Sequence, residues 1–300
     1  MLTSKQYSVA DVMSPFMNPM TRHPLAGVCT YFLIAFGVPW VGWLFVGDER
    51  LSLWLFPLFC SLAGFAASFA EGGKAGLGTF CRRVFALGQT LPYLVLGVLI
   101  PLAFGLSYLL GKGVSLSDFV LSPAAVLGLT LGAALITGPL AEEFGWRGYL
   151  QHFLLGRFAP FWVAVVVGCT WWAWHFPLYR TSVFASPLVA VSFLAYLLTW
   201  SIFMVYLVER CAGSVWPAVA LHWAANTHVD ILRVLLPSID GSLLPGGSKG
   251  SLYYLAAALA FVVFNHRFFF TKQRSHHALQ ATASGSFAPS GRRLPGREST

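Results

Sequence analysis

Charged residues are scarce in this chain of 300 residues. Only 10% of the residues are Asp, Glu, Lys or Arg, whereas 57% are hydrophobic and the mean hydropathy is +0.69. Water-soluble domains carry roughly 25% charged residues, so the composition excludes a water-soluble domain of useful size. The chain is therefore predicted to be an integral membrane protein. Its formal net charge of +8 is then a question of membrane orientation and does not indicate a nucleic-acid partner.

Several sequence patterns are also missing. The five cysteines stand in no Cys-x-x-Cys or Cys/His ligand spacing, which predicts neither a disulfide framework nor a structural zinc site. No His-Glu-x-x-His motif occurs, and that motif is typical of zinc metalloproteases. The first 24 residues do not resemble a short cleavable signal peptide, so the first apolar run is expected to remain as a membrane span.

Long apolar runs are abundant and predict the fold class. A membrane-spanning helix needs about 20 predominantly apolar residues, and eight stretches meet that requirement. The predicted spans are 25–46, 51–70, 91–110, 123–157, 158–177, 187–208, 215–236 and 251–270. The Gly-rich basic stretch 71–89 is expected to form a separate short helix in the membrane interface. The predicted fold is an all-α polytopic membrane helix bundle with about eight transmembrane helices.

The distribution of basic residues predicts the orientation of these spans. Lys and Arg are enriched in cytoplasmic loops. With the N-terminus inside and each span crossing once, 14 of the 19 basic residues fall on the cytoplasmic side and five fall outside. Both termini are therefore predicted to be cytoplasmic.

The positions of the apolar runs and of the polar motifs divide the chain into five regions. They are a cytoplasmic N-terminal segment (1–24), N-terminal transmembrane helices (25–120), a membrane core with the polar motifs described below (121–236), a last transmembrane helix (237–272), and a basic tail (273–300). The tail is rich in Ser, Gly, Pro and Arg and is expected to be disordered.

Two adjacent carboxylates and an arginine interrupt the fourth apolar run, in the segment Pro-Leu-Ala-Glu-Glu-Phe-Gly-Trp-Arg-Gly. Charged side chains within a membrane are costly and are functional candidates by default. Glu143 and Arg147 are i,i+4 neighbours that can pair on one helix face. Each residue turns the helix by about 100°, so Glu142 points elsewhere and is left for chemistry. Pro139 is predicted to kink the helix. The structural alternative is a buried ion pair that holds two helices together.

Two further spans carry polar side chains. His175 ends the fifth apolar run, while His222 and Asn226 are i,i+4 neighbours in the seventh and share one helix face. A carboxylate, two histidines and an amide are the groups of a water-activating hydrolase, with a general base and oxyanion donors. The alternatives are a packed histidine at His175, an interhelical polar clamp at His222 and Asn226, and tryptophans that belong to the interface or the core.

Glu142, His175 and His222 can lie close together only if they are at the same depth in the membrane. Glu142 and His175 are 16 and 17 residues from Phe158, so they can lie side by side in an antiparallel helix pair. His222 is only about ten residues beyond the turn near Gly213, or about 15 Å along a helix. The three groups are therefore expected to meet only if the hairpin end at 148–160 extends beyond the membrane or along its surface.

Together these motifs resemble a known family. The order Glu-Glu-x-x-x-Arg, aromatic-x-x-x-His and His-x-x-x-Asn on successive spans resembles the CPBP family of intramembrane proteases, which includes the type II CAAX prenyl endopeptidases and is also called the Abi family. The resemblance covers about residues 120–235. In one departure, this chain has Trp171 where the family usually has phenylalanine.

The resemblance implies roles for individual residues. Glu142 and His175 would activate water, His222 and Asn226 would bind the oxyanion, and Glu143 with Arg147 would support the site. The family has also been described as intramembrane metalloproteases. In that case Glu142, His175 and His222 would be the zinc ligands. A metal-free site without a cofactor is the favoured hypothesis, with zinc as the alternative.

The predicted function is that of an intramembrane endopeptidase, a hydrolase acting on a membrane-associated peptide or protein in the lipid bilayer. Eukaryotic relatives cleave prenylated CAAX substrates, and some bacterial relatives act in bacteriocin maturation or self-immunity. The compact chain is expected to be bacterial and to lie in the inner (cell) membrane. One alternative is a non-catalytic membrane scaffold or bacteriocin self-immunity protein on the same fold. Another is a transporter with a carboxylate proton relay, although no inverted repeat supports it.

Overall fold

A computed structural model of the chain describes residues 23–46, 52, 54–87, 90–115, 131–235 and 247–272, and every regular element among them is helical. The helices are α1 (Pro24–Phe45), α2 (Leu58–Val84), α3 (Leu91–Leu110), α4 (131–155), α5 (Pro160–Trp174), α6 (Phe176–Tyr179), α7 (Pro187–Arg210), α8 (Trp216–Leu235), α9 (Gly247–Phe264) and α10 (His266–Phe270). The predicted N-terminal segment, apart from its last two residues, and the predicted basic tail lie outside these residues.

Each predicted span coincides with a helix, and the predicted all-α class is confirmed. The short helix expected within the stretch 71–89 is present, because α2 consists of two helices that meet at a kink at Gly73, and the second of them ends at Val84. Its position in the membrane interface stays a prediction. The only non-helical residue inside α2 is Gly73, at φ 60° and ψ −148°. This region of backbone space is accessible essentially to glycine alone, so glycine permits the kink that separates the two helices of α2.

Three of the described helices, α1, α3 and α7, are long and apolar enough to cross a membrane. Helix α5 and the part of α9 from Gly250 to Phe264 are apolar but shorter. Large apolar side chains remain exposed on the outside of these helices, among them Leu33, Leu99 and Val263. In water such a surface would be unfavourable, whereas a lipid environment solvates it. The protein is thus an integral membrane helix bundle.

Proline marks where several helices begin. Pro24, Pro160 and Pro187 each occupy the first position of a helix, where the missing N–H would have had no intrahelical partner. The most extensive contacts between helices join α3 to α8, α7 to α5 and α9, and α2 to the second half of α4. Residues of α4, α5, α7 and α8 line one cavity between them.

Helix α4 is irregular around the two glutamates. Residues Ile136–Leu140 and Phe144–Gln151 are π-helical, and Ala141–Glu143 form a short α-helical segment between them. Pro139 lies within the first π-helical segment, and the kink predicted at this proline stays a prediction. Local π-helix is common at functional sites because it re-aims side chains and interrupts the regular hydrogen bonding.

Side chains of α2 bind carbonyl oxygens of this irregular helix. Ser61 Oγ donates to the Leu140 carbonyl at 3.0 Å, and Cys60 Sγ donates to the Glu142 carbonyl at 3.5 Å. Arg83 Nη2 donates to the Gly148 carbonyl at 2.8 Å. Non-helical backbone is tolerated in a membrane only where its polar groups find partners within the protein. Helix α2 therefore stabilises the unusual geometry of α4.

Glycines allow α2 and α4 to approach so closely. A Cβ atom at Gly64 would clash with the Phe144 carbonyl oxygen, and one at Gly145 would clash with the Cys60 backbone. Small residues at a helix crossing let two backbones pack directly in a membrane protein. This crossing fixes the position and rotation of the segment that carries Glu142 and Glu143.

Candidate functional site

Glu142, His175, His222 and Asn226 all line one cavity of about 180 Å³. They come from α4, the end of α5 and α8, so all four face one cavity, and their roles in catalysis stay a prediction. Half of the other lining residues are aromatic, namely Trp171, Trp174, Tyr179, Phe193, Tyr196 and Trp200. The site thus combines a few polar groups with a large apolar surface, as ligand and substrate pockets commonly do.

The two oxygens of the Glu142 carboxylate have different environments. Trp171 Nε1 donates to Oε2 at 2.7 Å, and Trp146 Nε1 donates to the same oxygen at 3.2 Å. Among the described residues none donates to Oε1. Glu142 is buried apart from its contact with the cavity. Its carboxylate therefore has one fixed oxygen and one that is available for a small molecule.

Glu143 points away from Glu142 and contacts α8. Its Oε1 lies 2.7 Å from Nδ1 of His222. A carboxylate can only accept a hydrogen bond, so Nδ1 of His222 is protonated and donates. This bond orients the imidazole so that Nε2 is the nitrogen left for the cavity. Glu143 thus has a contact that its predicted pairing with Arg147 did not include.

The predicted pairing of Glu143 with Arg147 is also present. Arg147 Nε lies 3.5 Å from Glu143 Oε2, and both side chains are fully buried. These two atoms make no hydrogen bond with any described residue, so the contact is an ion pair without a hydrogen bond. The guanidinium also lies over the Trp171 ring, 5.1 Å from its centroid, and Nη2 contacts the sulfur of Met204. Arg147 therefore connects α4 to both α5 and α7.

His175 is held by its own helix and by an aromatic stack. Its Nδ1 lies 2.8 Å from the Trp171 carbonyl oxygen, which can only accept, so Nδ1 is protonated here as well. The Tyr179 ring is stacked on the imidazole at 5.4 Å with an angle of 8° between the planes. Nε2 of His175 is then the nitrogen available to accept a proton or a hydrogen bond.

Asn226 and His222 converge above Gly138 of α4. A Cβ atom built on Gly138 would lie 3.0 Å from Asn226 Nδ2 and 3.2 Å from His222 Nε2. Both nitrogens therefore lie close to one point on the Gly138 side of α8. Because position 138 has no side chain, the side chains of Asn226 and His222 on α8 can pack closely against α4 there.

Three site residues were not identified from the sequence. Trp146 and Trp171 are the donors to Glu142, whereas the motifs in the sequence include Trp171 only as an aromatic residue and assign no role to Trp146. Trp146 is four residues after Glu142, and Trp171 is four residues before His175. These spacings place each tryptophan on the face of a site residue, so a signal was present. Gly138 carried no comparable signal.

The predicted zinc ligands do not fit a metal ion in this arrangement. Within the described ranges, no three His, Cys, Asp or Glu side chains are placed to hold one ion. Glu142, His175 and His222 share a cavity, but sharing a cavity does not require distances of about 2 Å to a common point, as zinc does.

Comparison with known proteins agrees with the motifs. No curated protein sequence matches the chain. Residues 123–228 match the family model described as Type II CAAX prenyl endopeptidase Rce1-like. That region contains Glu142, Glu143, Arg147, His175, His222 and Asn226. The match confirms the resemblance and supports a membrane protease of the CAAX type. In the region that carries its polar cavity, this integral membrane protein is similar to the Rce1-like type II CAAX prenyl endopeptidases.

Proposed function

We propose that the protein is an intramembrane endopeptidase that hydrolyses a peptide bond in a membrane-associated peptide or protein. The observation that carries this proposal is the meeting of Glu142, His175, His222 and Asn226 in one cavity. A base and two oxyanion donors on different helices, in a site with an apolar wall, are the groups that amide hydrolysis needs. The family match supports the reaction class.

The proposed reaction uses water as the nucleophile. Glu142 takes a proton from the water through Oε1, while Nε2 of His175 accepts a hydrogen bond from the same water and orients it. The water oxygen forms a bond to the scissile carbonyl carbon, and the carbonyl oxygen becomes an oxyanion. When the C–N bond breaks, the proton held by Glu142 passes to the leaving nitrogen. The products are one carboxylic acid and one amine.

His222 and Asn226 would stabilise the oxyanion. Asn226 donates through Nδ2, which is an N–H donor in any state of the site. His222 already donates from Nδ1 to Glu143, so it can donate from Nε2 only as an imidazolium. The buried carboxylate of Glu143 supplies the counter-charge. In this mechanism Glu143 supports the charge of an oxyanion donor in addition to its ion pair with Arg147.

The surroundings of the cavity support a hydrophobic substrate. Its wall includes six aromatic rings, which would accommodate an apolar side chain or lipid group beside the scissile bond. We propose a metal-free site, a bacterial cell membrane as the location, and a cytoplasmic position for both termini. The basic-residue asymmetry supports the orientation.

The direct test uses purified protein in lipid nanodiscs and a library of membrane-associated peptides, with and without a C-terminal prenylated cysteine. Products are identified by mass spectrometry in water enriched in oxygen-18. The wild type is expected to release peptides with one oxygen-18 atom in the new carboxylate, and Glu142→Gln is expected to release none. Equal cleavage by both proteins, or no cleavage by the wild type, would contradict the proposal. Binding without cleavage by both would instead favour the scaffold alternative.

A further inference from the structure

We infer that Trp171 and Trp146 are positioning residues that determine which oxygen of Glu142 acts as the base. Both indoles hold Oε2, so the proton of the attacking water is taken by Oε1. This inference rests on the proposed function, because it assigns a role to Glu142 in peptide hydrolysis. It adds to the site two hydrogen-bond donors that orient the Glu142 carboxylate.

The geometry of the two bonds carries the inference. The donors reach one oxygen from two helices: Trp146 from α4, one turn after Glu142, and Trp171 from α5. An indole N–H is a donor and never an acceptor, so neither bond can reverse its direction. Hydrogen bonds to an ionised acceptor are stronger than those between neutral groups. Two of them on Oε2 restrict rotation of the carboxylate about its terminal torsion.

The indoles are themselves fixed by packing. The Trp146 ring makes edge-to-face contacts with Tyr31, Phe36 and Trp174, with centroid distances of 6.1, 6.3 and 5.8 Å. The Trp171 ring lies beneath the Arg147 guanidinium and meets the His222 ring edge-to-face at 4.9 Å. A catalytic group is positioned accurately only when the residues that hold it have locked rotamers, and both tryptophans meet that condition.

A comparison of the three tryptophans near the end of α5 shows that contact with the Glu142 carboxylate is specific to one of them. Trp172 Nε1 donates to the Ala190 carbonyl at 2.9 Å, and Trp174 Nε1 donates to the Ala35 carbonyl at 2.7 Å. Of these three indoles, that of Trp171 is the one that reaches the carboxylate.

The sharpest variant removes the N–H group without changing the shape of the ring. Incorporation of β-(3-benzothienyl)alanine at position 171 replaces the indole nitrogen by sulfur, and the same replacement at Trp172 is the matched control. We expect the change at position 171 to lower kcat about tenfold while KM changes less than about twofold. The control should retain the kcat of the wild type. Trp171→Phe should lower kcat at least as much, and Trp146→Phe should lower it less because its bond is longer.

A second measurement does not depend on activity. In protein labelled with nitrogen-15 at the indoles, the Trp171 resonance is identified by its loss in Trp171→Phe. Glu142→Gln removes the charge from the acceptor, so the Trp171 resonance should move upfield, whereas the Trp172 resonance should stay in place. An unmoved Trp171 resonance would overturn the inferred bond.

The outcomes distinguish this inference from the proposed function. Peptidase activity in the wild type, with equal kcat values for the replacements at positions 171 and 172, would overturn the positioning role and leave the proposed function standing. A wild type without peptidase activity would overturn the proposed function and the positioning role together. A selective loss of kcat at position 171, with a selective shift of its resonance, is the result that we expect.

Discussion

His222 Nδ1 lies 2.7 Å from Glu143 Oε1, so the second glutamate of the Glu-Glu pair contacts a histidine on another helix. Its neighbour Glu142 contacts Trp171 on α5 instead. Two adjacent carboxylates can serve different helices because successive residues of a helix point about 100° apart. This division of contacts is the basis for the expected differences between variants of the two residues.

Replacement of the two glutamates should have different effects. Glu142→Gln is expected to abolish turnover while the melting temperature stays close to that of the wild type. Glu143→Gln is expected to destabilise the protein by roughly 3–5 kcal/mol, because it leaves the buried Arg147 without its counter-charge. It should also lower turnover through His222. Thermal unfolding in detergent and peptide cleavage measure both effects. If both variants are as stable as the wild type and only Glu143→Gln is inactive, the two roles are reversed.

The space above Gly138 should matter for catalysis. Gly138→Ala places a methyl group where Asn226 Nδ2 and His222 Nε2 converge, so it should lower kcat by about tenfold or more. Gly132→Ala is the matched control, since a Cβ atom there meets no atom within 4 Å. That control should keep wild-type activity. Equal activity of the two variants would show that no oxyanion forms above Gly138.

The two proposed oxyanion donors should contribute jointly. His222→Ala and Asn226→Ala are each expected to lower kcat by about 10²–10³, the range for loss of one such donor. The double variant should lose less than the product of the two, because groups that stabilise one charge act as a unit. Single-turnover cleavage assays give the required rates. A variant that raises KM and leaves kcat unchanged would assign that residue to substrate binding.

Metal removal distinguishes the two mechanisms that the family suggests. Because the described residues hold no three-ligand cluster, we expect activity to survive dialysis against a strong chelator. Metal analysis of the purified protein should find less than one zinc ion per chain. Loss of activity on chelation and its recovery with zinc would show that Glu142, His175 and His222 rearrange around a metal ion.

The membrane orientation can be tested independently of activity. Reporter fusions at the N-terminus and after Lys272 should both give cytoplasmic signals, because 14 of the 19 basic residues lie on the predicted inner side. A fusion in the loop near Arg180, between the fifth and sixth predicted spans, should give an external signal. An external C-terminus would contradict the count of eight spans.

Some features of this protein follow from its sequence alone. Scarce charge and long apolar runs are sufficient for a membrane helix bundle, since only helices or closed barrels satisfy the backbone in lipid. The separation of Glu142 from Glu143, the pairing of Glu143 with Arg147, and the shared face of His222 and Asn226 follow from helical spacing. Such contacts lie within one turn, where the geometry of the helix fixes the distances.

Other features depended on the tertiary structure. The hydrogen bond between Trp171 and Glu142 joins two helices, and so does the one between His222 and Glu143. Sequence spacing therefore does not indicate either bond. Helix α5 is apolar nearly all round, so its sequence does not show which face turns toward α4. Packing decides these contacts, through the glycine crossing of α2 with α4 and through the missing side chain at Gly138, where Asn226 and His222 of α8 pack against α4. Contacts between helices depend on how several surfaces fit at once, and no single segment of the chain contains that information.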